Sequence, residues 1–195
     1  TDGNFVEGEG CNTWPRTQYS TGSAGIGGGI DMECIFHLNE GNYSFRLVES
    51  PNAKDSRIYW HADGRIVLAN TGRYLGFPII DGYRLTKVSA LHATTASSKG
   101  RGAGISAEVA ATTTETPAIV EGGDPIITTS TKDNLIWNLK GTVANARYYI
   151  YCSKSGIGFS NLTLVYEKAS GQEATPDVVR VGTYNLRYIN TTESD

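Results

Sequence analysis

The stretch IDMECIFHL, Ile30–Leu38, decides the fold of this 195-residue chain. Apolar side chains occupy each even position of the stretch, at Ile30, Met32, Cys34, Phe36 and Leu38. Asp31, Glu33 and His37 lie between them. Because successive side chains of a β-strand point to opposite faces, this alternation predicts a strand with one buried face and one solvent face.

The pattern extends beyond this first strand. Glu40-Gly41-Asn42 is predicted to form a turn, after which the alternation resumes at Tyr43, Phe45 and Leu47, so the two segments should form a hairpin. Further strands are predicted at Arg57–Trp60, Arg65–Ala69, Tyr83–Leu91, Asn134–Leu139, Arg147–Ser153 and Asn161–Glu167. We find no helical periodicity with both caps, so the chain is predicted to be an all-β antiparallel sandwich or jelly roll.

The segment from Ala93 to Thr131 has a different composition, rich in Ala, Thr, Ser and Gly. Weaker strands are predicted at Gly104–Ala110 and Ile126–Ser130, on either side of a loop near Thr112–Thr116. Long loops often carry the binding surface of a sandwich, although a plain insertion is the more frequent explanation. Both interpretations stay open at this point.

Charge and hydropathy exclude two classes of partner. The formal net charge is −3 and the 17 Lys and Arg residues are spread singly, so nucleic-acid binding by this segment alone is not expected. No apolar run approaches the roughly 18–20 residues of a membrane helix, which predicts no transmembrane segment. No signal peptide is recognisable at the N-terminus, and the first residue is Thr, which suggests processing compatible with export.

Cysteine and acidic residues give little sign of a metal centre. Cys11, Cys34 and Cys152 form no C-x-x-C pair, and their odd number leaves at least one free thiol. Burial of Cys34 and Cys152 as small apolar residues is favoured over a disulfide. No cofactor is evident, although the aspartates of predicted turns are candidate ligands of a structural Ca²⁺, at Asp55, Asp63, Asp81 and Asp124.

Candidate catalytic patterns are weak. The histidines lie apart and outside any hydrolase motif, at His37, His61 and His92. Each is therefore interpreted as a surface or hydrogen-bonded structural residue. Gly22–Gly29, GSAGIGGG, leads into a strand instead of a helix and so lacks the context of a phosphate-binding loop. Asp31 and Glu33 have a spacing found in glycosidase pairs, which we interpret as a coincidence of strand geometry.

Aromatic residues offer a more specific hypothesis. Trp137 is in phase with apolar neighbours and is predicted to lie in the core. Trp14 and Tyr19 occur in the loop-like segment CNTWPRTQYS, and Trp60 lies at a strand end. Exposed aromatic rings stack on the apolar face of sugars, so Trp14, Tyr19 and Trp60 are predicted as carbohydrate-binding residues. The alternative is that these rings cover the core.

Two segments carry a resemblance to a fold family. LGFPIIDGYRLTKV, Leu75–Val88, and RYYIYCSKSGIGFSNLTLVYE, Arg147–Glu167, resemble β-sandwich domains of secreted bacterial surface proteins, of the jelly-roll or galactose-binding-like type. The resemblance implies a sandwich over residues 1–168 and a secreted, periplasmic or cell-surface location. That group contains both carbohydrate-binding modules and spacer domains, so the resemblance leaves the ligand open.

A second resemblance lies near the C-terminus. VVRVGTYNLRYIN, Val178–Asn190, is similar to the first core strand of the endonuclease/exonuclease/phosphatase family, in which an Asn lies at a Mg²⁺-dependent phosphoester hydrolysis site. Asn185 matches that Asn. Residues 169–177 are accordingly predicted to be a linker, and residues 178–195 to be the start of a catalytic domain whose other active-site groups do not occur before Asp195. The strand is expected to pair with an exposed sheet edge. The alternative is that the stretch is the last strand of the sandwich itself.

Together these features predict a non-catalytic accessory module of a secreted or surface phosphodiesterase-like hydrolase. Its expected partners are a glycan ligand and the C-terminal catalytic domain, and Mg²⁺ is expected only in that domain. The chain itself is not expected to be an enzyme. The alternative is a spacer or adhesion sandwich without a small-molecule ligand.

Overall fold

The computed structural model shows a β-sandwich. It describes residues 4–6, 31–38, 41–53, 58–60, 66–94, 97–169, 178–180 and 187–189. Within these ranges the regular structure consists of strands arranged in two sheets, and no helix is present. The predicted all-β antiparallel sandwich is therefore confirmed.

The larger sheet has eight strands, in the order β14-β1-β2-β3-β6-β11-β8-β9. Its strands are β1 (Asn4–Val6), β2 (Asp31–Leu38), β3 (Gly41–Glu49), β6 (Arg73–Gly76), β8 (Arg101–Ser106), β9 (Ile126–Thr128), β11 (Tyr149–Lys154) and β14 (Arg187–Ile189). Neighbouring strands are antiparallel except β1 and β14, which are parallel. The sequence order is not the spatial order, so the sheet is assembled from distant parts of the chain.

The smaller sheet has the order β10-β7-β12-β5-β4, with β13 also paired to β12. Its strands are β4 (Ile58–Trp60), β5 (Ile66–Leu68), β7 (Tyr83–His92), β10 (Asn134–Asn138), β12 (Ile157–Lys168) and β13 (Val178–Arg180). The long strand β12 organises this sheet. It pairs with β7 along one side, and with β5 and β13 at the two ends of its other side.

The hairpin predicted from the opening stretch is confirmed. Strands β2 and β3 are paired from Asp31 to Leu38, and Leu38 pairs with Gly41. The side chain of Met32 packs against the core and that of Asp31 is exposed, as the alternation requires. The predicted turn at Glu40-Gly41-Asn42 is wrong, because Gly41 and Asn42 already belong to the ladder of β3.

The two sheets bury one large apolar core between them. Trp137 lies within it, with 2% of its surface exposed, and its ring nitrogen donates a hydrogen bond to the carbonyl oxygen of Asp124 at 3.0 Å. The core position predicted for Trp137 is thus confirmed. Around it pack large side chains from both sheets, among them Phe45, Leu47, Leu85, Ile150 and Tyr166.

Two strands of the larger sheet, β1 and β6, were not predicted. β6 is only four residues long and all four are buried, so its sequence shows no alternation. It lies in the middle of the eight-stranded sheet, between β3 and β11. A strand that is covered on both faces loses the polar positions by which an antiparallel strand is normally recognised.

The C-terminal segment pairs with the sandwich at two places. In β13, Arg180 pairs with Val165 of β12, and in β14, Arg187 pairs with Asn4 of β1. Pairing with sheet edges was expected, and a last strand of the sandwich would pair in the same way. Of the predicted linker, residues 169–177, only Ala169 is among the described residues, and its amide donates a hydrogen bond to the carbonyl oxygen of Gly82 at 2.9 Å. The division into domains stays a prediction.

Candidate functional site

The outer face of the eight-stranded sheet carries a second, smaller apolar cluster. It consists of Tyr74, Tyr149 and Tyr151 with Val48 and Ala110, and we call it the tyrosine cluster. The rings of Tyr74 and Tyr151 are stacked, with centroids 5.9 Å apart, and Tyr149 meets Tyr74 edge-on at 6.3 Å. Both arrangements are favourable for aromatic quadrupoles, so the rings stabilise one another and form a floor on this face of the sheet.

Glycines allow these rings to lie close to the sheet. A Cβ atom at Gly76 would come within 2.8 Å of the Tyr149 ring, and one at Gly104 within 2.9 Å of the Tyr151 ring. Real Cβ atoms do not approach so closely. Gly76 and Gly104 are therefore required where a tyrosine from β11 crosses its neighbouring strand.

A long loop, residues 107–125, crosses this floor between β8 and β9, and we call it the covering loop. The amide of Ala110 donates to the hydroxyl of Tyr74 at 3.1 Å, and the amide of Thr113 donates to the side-chain oxygen of Asn52 at 2.8 Å. These bonds tie both parts of the loop to the larger sheet and its β3 end. The loop borders a cleft on each side.

The first cleft, of about 390 Å³, lies beside residues 113–117 of the loop. We call it the threonine cleft because hydroxyl groups dominate its lining, from Thr71, Thr113, Thr114, Thr116, Tyr151 and Ser153. Its charged residues are Glu115 and Lys154, which offset one another. Pro125 and Ile127 add an apolar wall.

Two of these hydroxyls lie beneath the cleft surface. The oxygens of Tyr151 and Ser153 are buried and have no hydrogen-bond partner in the part of the chain that the structure describes. Tyr151 is only 3% exposed, and its burial raises the pKa of its phenol to about 12. The phenol is therefore a neutral hydroxyl at ordinary pH.

The second cleft, of about 600 Å³, lies beside residues 107–111 of the loop, and we call it the charged cleft. Its polar lining comes from Asp31, Arg46, Glu49, Glu108 and Tyr149. The Arg46 guanidinium makes two hydrogen bonds of 2.7 Å to the Asp31 carboxylate and one of 3.0 Å to the Tyr149 hydroxyl. The hydrogen bond from Arg46 lowers the pKa of Asp31.

The ion pairs of Asp31 and Glu33 bear on the glycosidase-like spacing of these two carboxylates. The Glu33 carboxylate accepts hydrogen bonds from Ser44 and, at 3.1 Å, from Arg147. A glycosidase pair needs one carboxyl that stays protonated near neutral pH. A lowered pKa at Asp31 works against that role, and both carboxylates serve instead as ion-pair partners within the sheet.

Most of the residues predicted to bind carbohydrate or to match an active site are not among the described residues. Trp14, Tyr19 and Asn185 fall outside the described residues. Trp60 ends β4, where it pairs with Ile66, and its side chain is outside the described part. The aromatic carbohydrate site and the role of Asn185 both stay predictions.

His92 is the histidine whose side chain the structure describes. It is fully buried, and its ring nitrogens contact the carbonyl oxygen of Ser130 and, at 2.6 Å, the hydroxyl of Thr94. The predicted role as a hydrogen-bonded structural residue is therefore confirmed for His92. The side chains of His37 and His61, and the glycine run Gly22–Gly29, lie outside the described residues.

Cys152 is a free, buried cysteine, as predicted. Burial raises the pKa of its thiol to about 11. Cys11 and the side chain of Cys34 are outside the described residues. Among the residues that are described, no group of three or more His, Cys, Asp or Glu side chains is placed to hold a metal ion. The structural Ca²⁺ stays a prediction without an assigned ligand set.

The threonine cleft was not predicted from the sequence. Its one local signal is the Thr-rich run at Thr112–Thr116, inside the segment for which the composition left a binding loop as one interpretation.

Comparisons with protein families, curated proteins and solved structures find no match for this chain. Over the described ranges, the chain has no helix long and apolar enough to cross a membrane.

Proposed function

We propose that this chain is a non-catalytic accessory module that binds carbohydrate in the threonine cleft. One observation carries the proposal: a cleft of about 390 Å³ has a hydroxyl-rich lining and offsetting charges on Glu115 and Lys154. A cleft of this size and polarity suits a small neutral ligand with many hydroxyl groups. A saccharide unit is the common biological ligand of that kind.

The apolar wall supports the same ligand class. A sugar ring has one face of C–H groups and an edge of hydroxyls, so it needs apolar and hydrogen-bonding surfaces close together. Pro125 and Ile127 supply the first, and Thr114, Glu115 and Thr116 supply the second. Ile127 is half-exposed, which leaves it accessible to a ligand in the cleft.

The charged cleft is a weaker candidate for an anion or sugar. Asp31 and Tyr149 already engage Arg46 at its Nε, Nη1 and Nη2 atoms. Three of the five guanidinium N–H groups are thus already used within the protein, which leaves fewer of them for a ligand.

The wider setting follows from the resemblances. We propose that the module belongs to a secreted or surface phosphodiesterase-like hydrolase of jelly-roll or galactose-binding-like architecture. In this proposal Asn185 and Mg²⁺ act in a following catalytic domain, and the sandwich keeps that domain near its substrate. The locked His92 and the ion-paired Asp31 support a non-catalytic role for the sandwich.

Native affinity gels test this proposal. The protein is run in gels that contain soluble xylan, mannan, galactan or β-glucan, and its mobility is compared with a gel without glycan. We expect at least one glycan to retard the wild type. The double variant Thr114→Val/Thr116→Val should bind about tenfold more weakly, because each lost hydrogen bond contributes roughly 0.5–1.5 kcal/mol.

Two controls sharpen the result. Thr131→Val changes an exposed threonine outside the cleft and should leave retardation unchanged. If Trp14→Ala and Trp60→Ala abolish retardation while the Thr114/Thr116 variant retains it, the ligand binds at the predicted aromatic site. Absence of retardation with every glycan would contradict carbohydrate binding and favour a spacer.

A further inference from the structure

The hydroxyls of Tyr151 and Ser153 lie under the same cleft. Both are buried without a hydrogen-bond partner among the described residues, and both belong to side chains that line the threonine cleft. A buried hydroxyl without a partner destabilises the folded protein, because it loses its bonds to water and gains none. Two such groups under one cleft call for an explanation in terms of function.

Strand β8 leaves room for both groups. A Cβ atom at Gly104 would lie 3.0 Å from the Tyr151 hydroxyl, and one at Gly102 would clash with the Ser153 Oγ. The outer-face positions of β8 are thus glycines where these hydroxyls approach. A larger residue at either position would displace the hydroxyl that lies over it.

The side chains of Ile127 and Ser153 approach one another above Gly102 of β8. The Ile127 Cδ1 atom and the Ser153 Oγ both crowd the same position above Gly102. Ile127 is 49% exposed and lies on β9, the edge strand of the eight-stranded sheet. Because it is already half-exposed at an edge, a rotation of its side chain away from Ser153 gives up little burial.

We propose that Tyr151 and Ser153 are specificity-determining residues of the threonine cleft. When the side chain of Ile127 turns aside, their hydroxyls bond to hydroxyl groups of a neutral saccharide. This inference rests on the proposed carbohydrate binding. A site with committed polar groups rejects a ligand that lacks the matching hydroxyl, because those groups then stay unpaired.

Tyr151→Phe and Ser153→Ala test the inference directly. Each removes one oxygen and leaves the shape of the side chain nearly unchanged. In the free protein we expect an equal or higher melting temperature, because an unpaired buried hydroxyl is lost. In the affinity gels that retard the wild type, we expect about tenfold weaker binding for each variant. An ordinary structural hydroxyl would give the opposite pair of results.

Ile127→Val tests whether Ile127 limits access to Ser153. It removes the Cδ1 atom next to Ser153 and keeps an apolar side chain on the wall of the cleft, so it should strengthen binding to the same glycan. Ile136→Val is a matched control, because Ile136 is 48% exposed on β10, an edge strand of the other sheet, and does not line the cleft. This control should leave binding unchanged.

The outcomes separate the inference from the function on which it rests. If the wild type binds none of the glycans, the proposed function itself fails. If the wild type binds and both Tyr151→Phe and Ser153→Ala bind equally well, the inference is overturned and carbohydrate binding stands. A lower melting temperature for both free variants would also overturn it, since each hydroxyl would then have a stabilising partner.

Discussion

The two clefts beside the covering loop differ in how their polar groups are satisfied. In the charged cleft, Arg46 is bonded to Asp31 and Tyr149 within the protein. In the threonine cleft, Tyr151 and Ser153 keep buried hydroxyls without described partners. Arg46 thus uses hydrogen-bonding groups within the protein, whereas the hydroxyls of Tyr151 and Ser153 do not. Internal bonds stabilise a surface, whereas unused bonding capacity destabilises the free protein and is available to a ligand.

The largest effect is expected from the floor that both clefts share. Tyr74→Ala removes a fully buried ring that packs on Tyr149 and Tyr151, so we expect a loss of about 3–5 kcal/mol in the free energy of unfolding. Urea denaturation measures this loss. Tyr74→Phe keeps the ring and removes the hydroxyl that accepts a hydrogen bond from the amide of Ala110, so it should cost about 1 kcal/mol. Equal losses for the two variants would show that packing on the floor contributes little.

Alkaline pH should lower the free energy of unfolding, because two buried groups beside the threonine cleft, Cys152 and Tyr151, have raised pKa values. Burial raises the pKa of the Cys152 thiol from 9.0 to about 11 and that of the Tyr151 phenol from 10.0 to about 12. Above pH 9 the unfolded chain releases these protons before the folded chain does, so stability falls as pH rises from 9 towards 12. For Cys152 the loss is on the order of 2 kcal/mol by pH 11.

Urea midpoints measured between pH 8 and pH 11 check this slope. Cys152→Ala should reduce the slope, since the thiol no longer titrates. A slope that is identical in wild type and variant would contradict the raised thiol pKa.

The glycines beneath the tyrosines allow a closer comparison of the two sides. A Cβ at Gly104 would meet both the Tyr151 ring and the Gly123 carbonyl oxygen, 3.0 Å away, whereas a Cβ at Gly76 would meet only side chains. Because backbone yields less easily than a side chain, Gly104→Ala should cost about 1–3 kcal/mol, more than Gly76→Ala. Thermal unfolding of the two variants measures the difference. A larger loss for Gly76→Ala would contradict this reasoning.

The smallest effect is expected from the ion pair of the charged cleft. The Asp31 side chain is 53% exposed, so solvent screens its attraction to Arg46, and Asp31→Asn should cost only about 0.2–1 kcal/mol. The pKa of Asp31 is lowered from 3.8, so this contribution is present above pH 4 and is lost as pH falls through the folded-state value. The difference in urea midpoint between wild type and variant should therefore be largest near pH 7 and should shrink as the pH is lowered below 4. A difference that stays the same over this whole range would contradict the ion pair as its source.

The extent to which the sequence predicts the fold depends on which faces of a strand are covered. β2 is recognisable because Asp31 and Glu33 are exposed on one side of a half-buried strand. β6 is not, because the core covers Leu75 and the covering loop and tyrosines cover Tyr74. Burial on both faces erases the alternation from which strands are predicted.

The threonine cleft could not be predicted from the sequence. Its geometry depends on contacts between distant parts of the chain, such as the bond from Thr113 to Asn52, which are 61 residues apart. Neither residue belongs to a motif that would indicate the other. The composition of the Thr-rich run was visible, but its position over β6 and β11 was not.

Isothermal titration calorimetry is the most direct test of carbohydrate binding in the threonine cleft. The glycan that retards the wild type in the gels is titrated into wild type, Thr114→Val/Thr116→Val and the Thr131→Val control. Our account predicts saturable binding to wild type and control, and about tenfold weaker binding to the double variant. Equal affinity for all three proteins would contradict it.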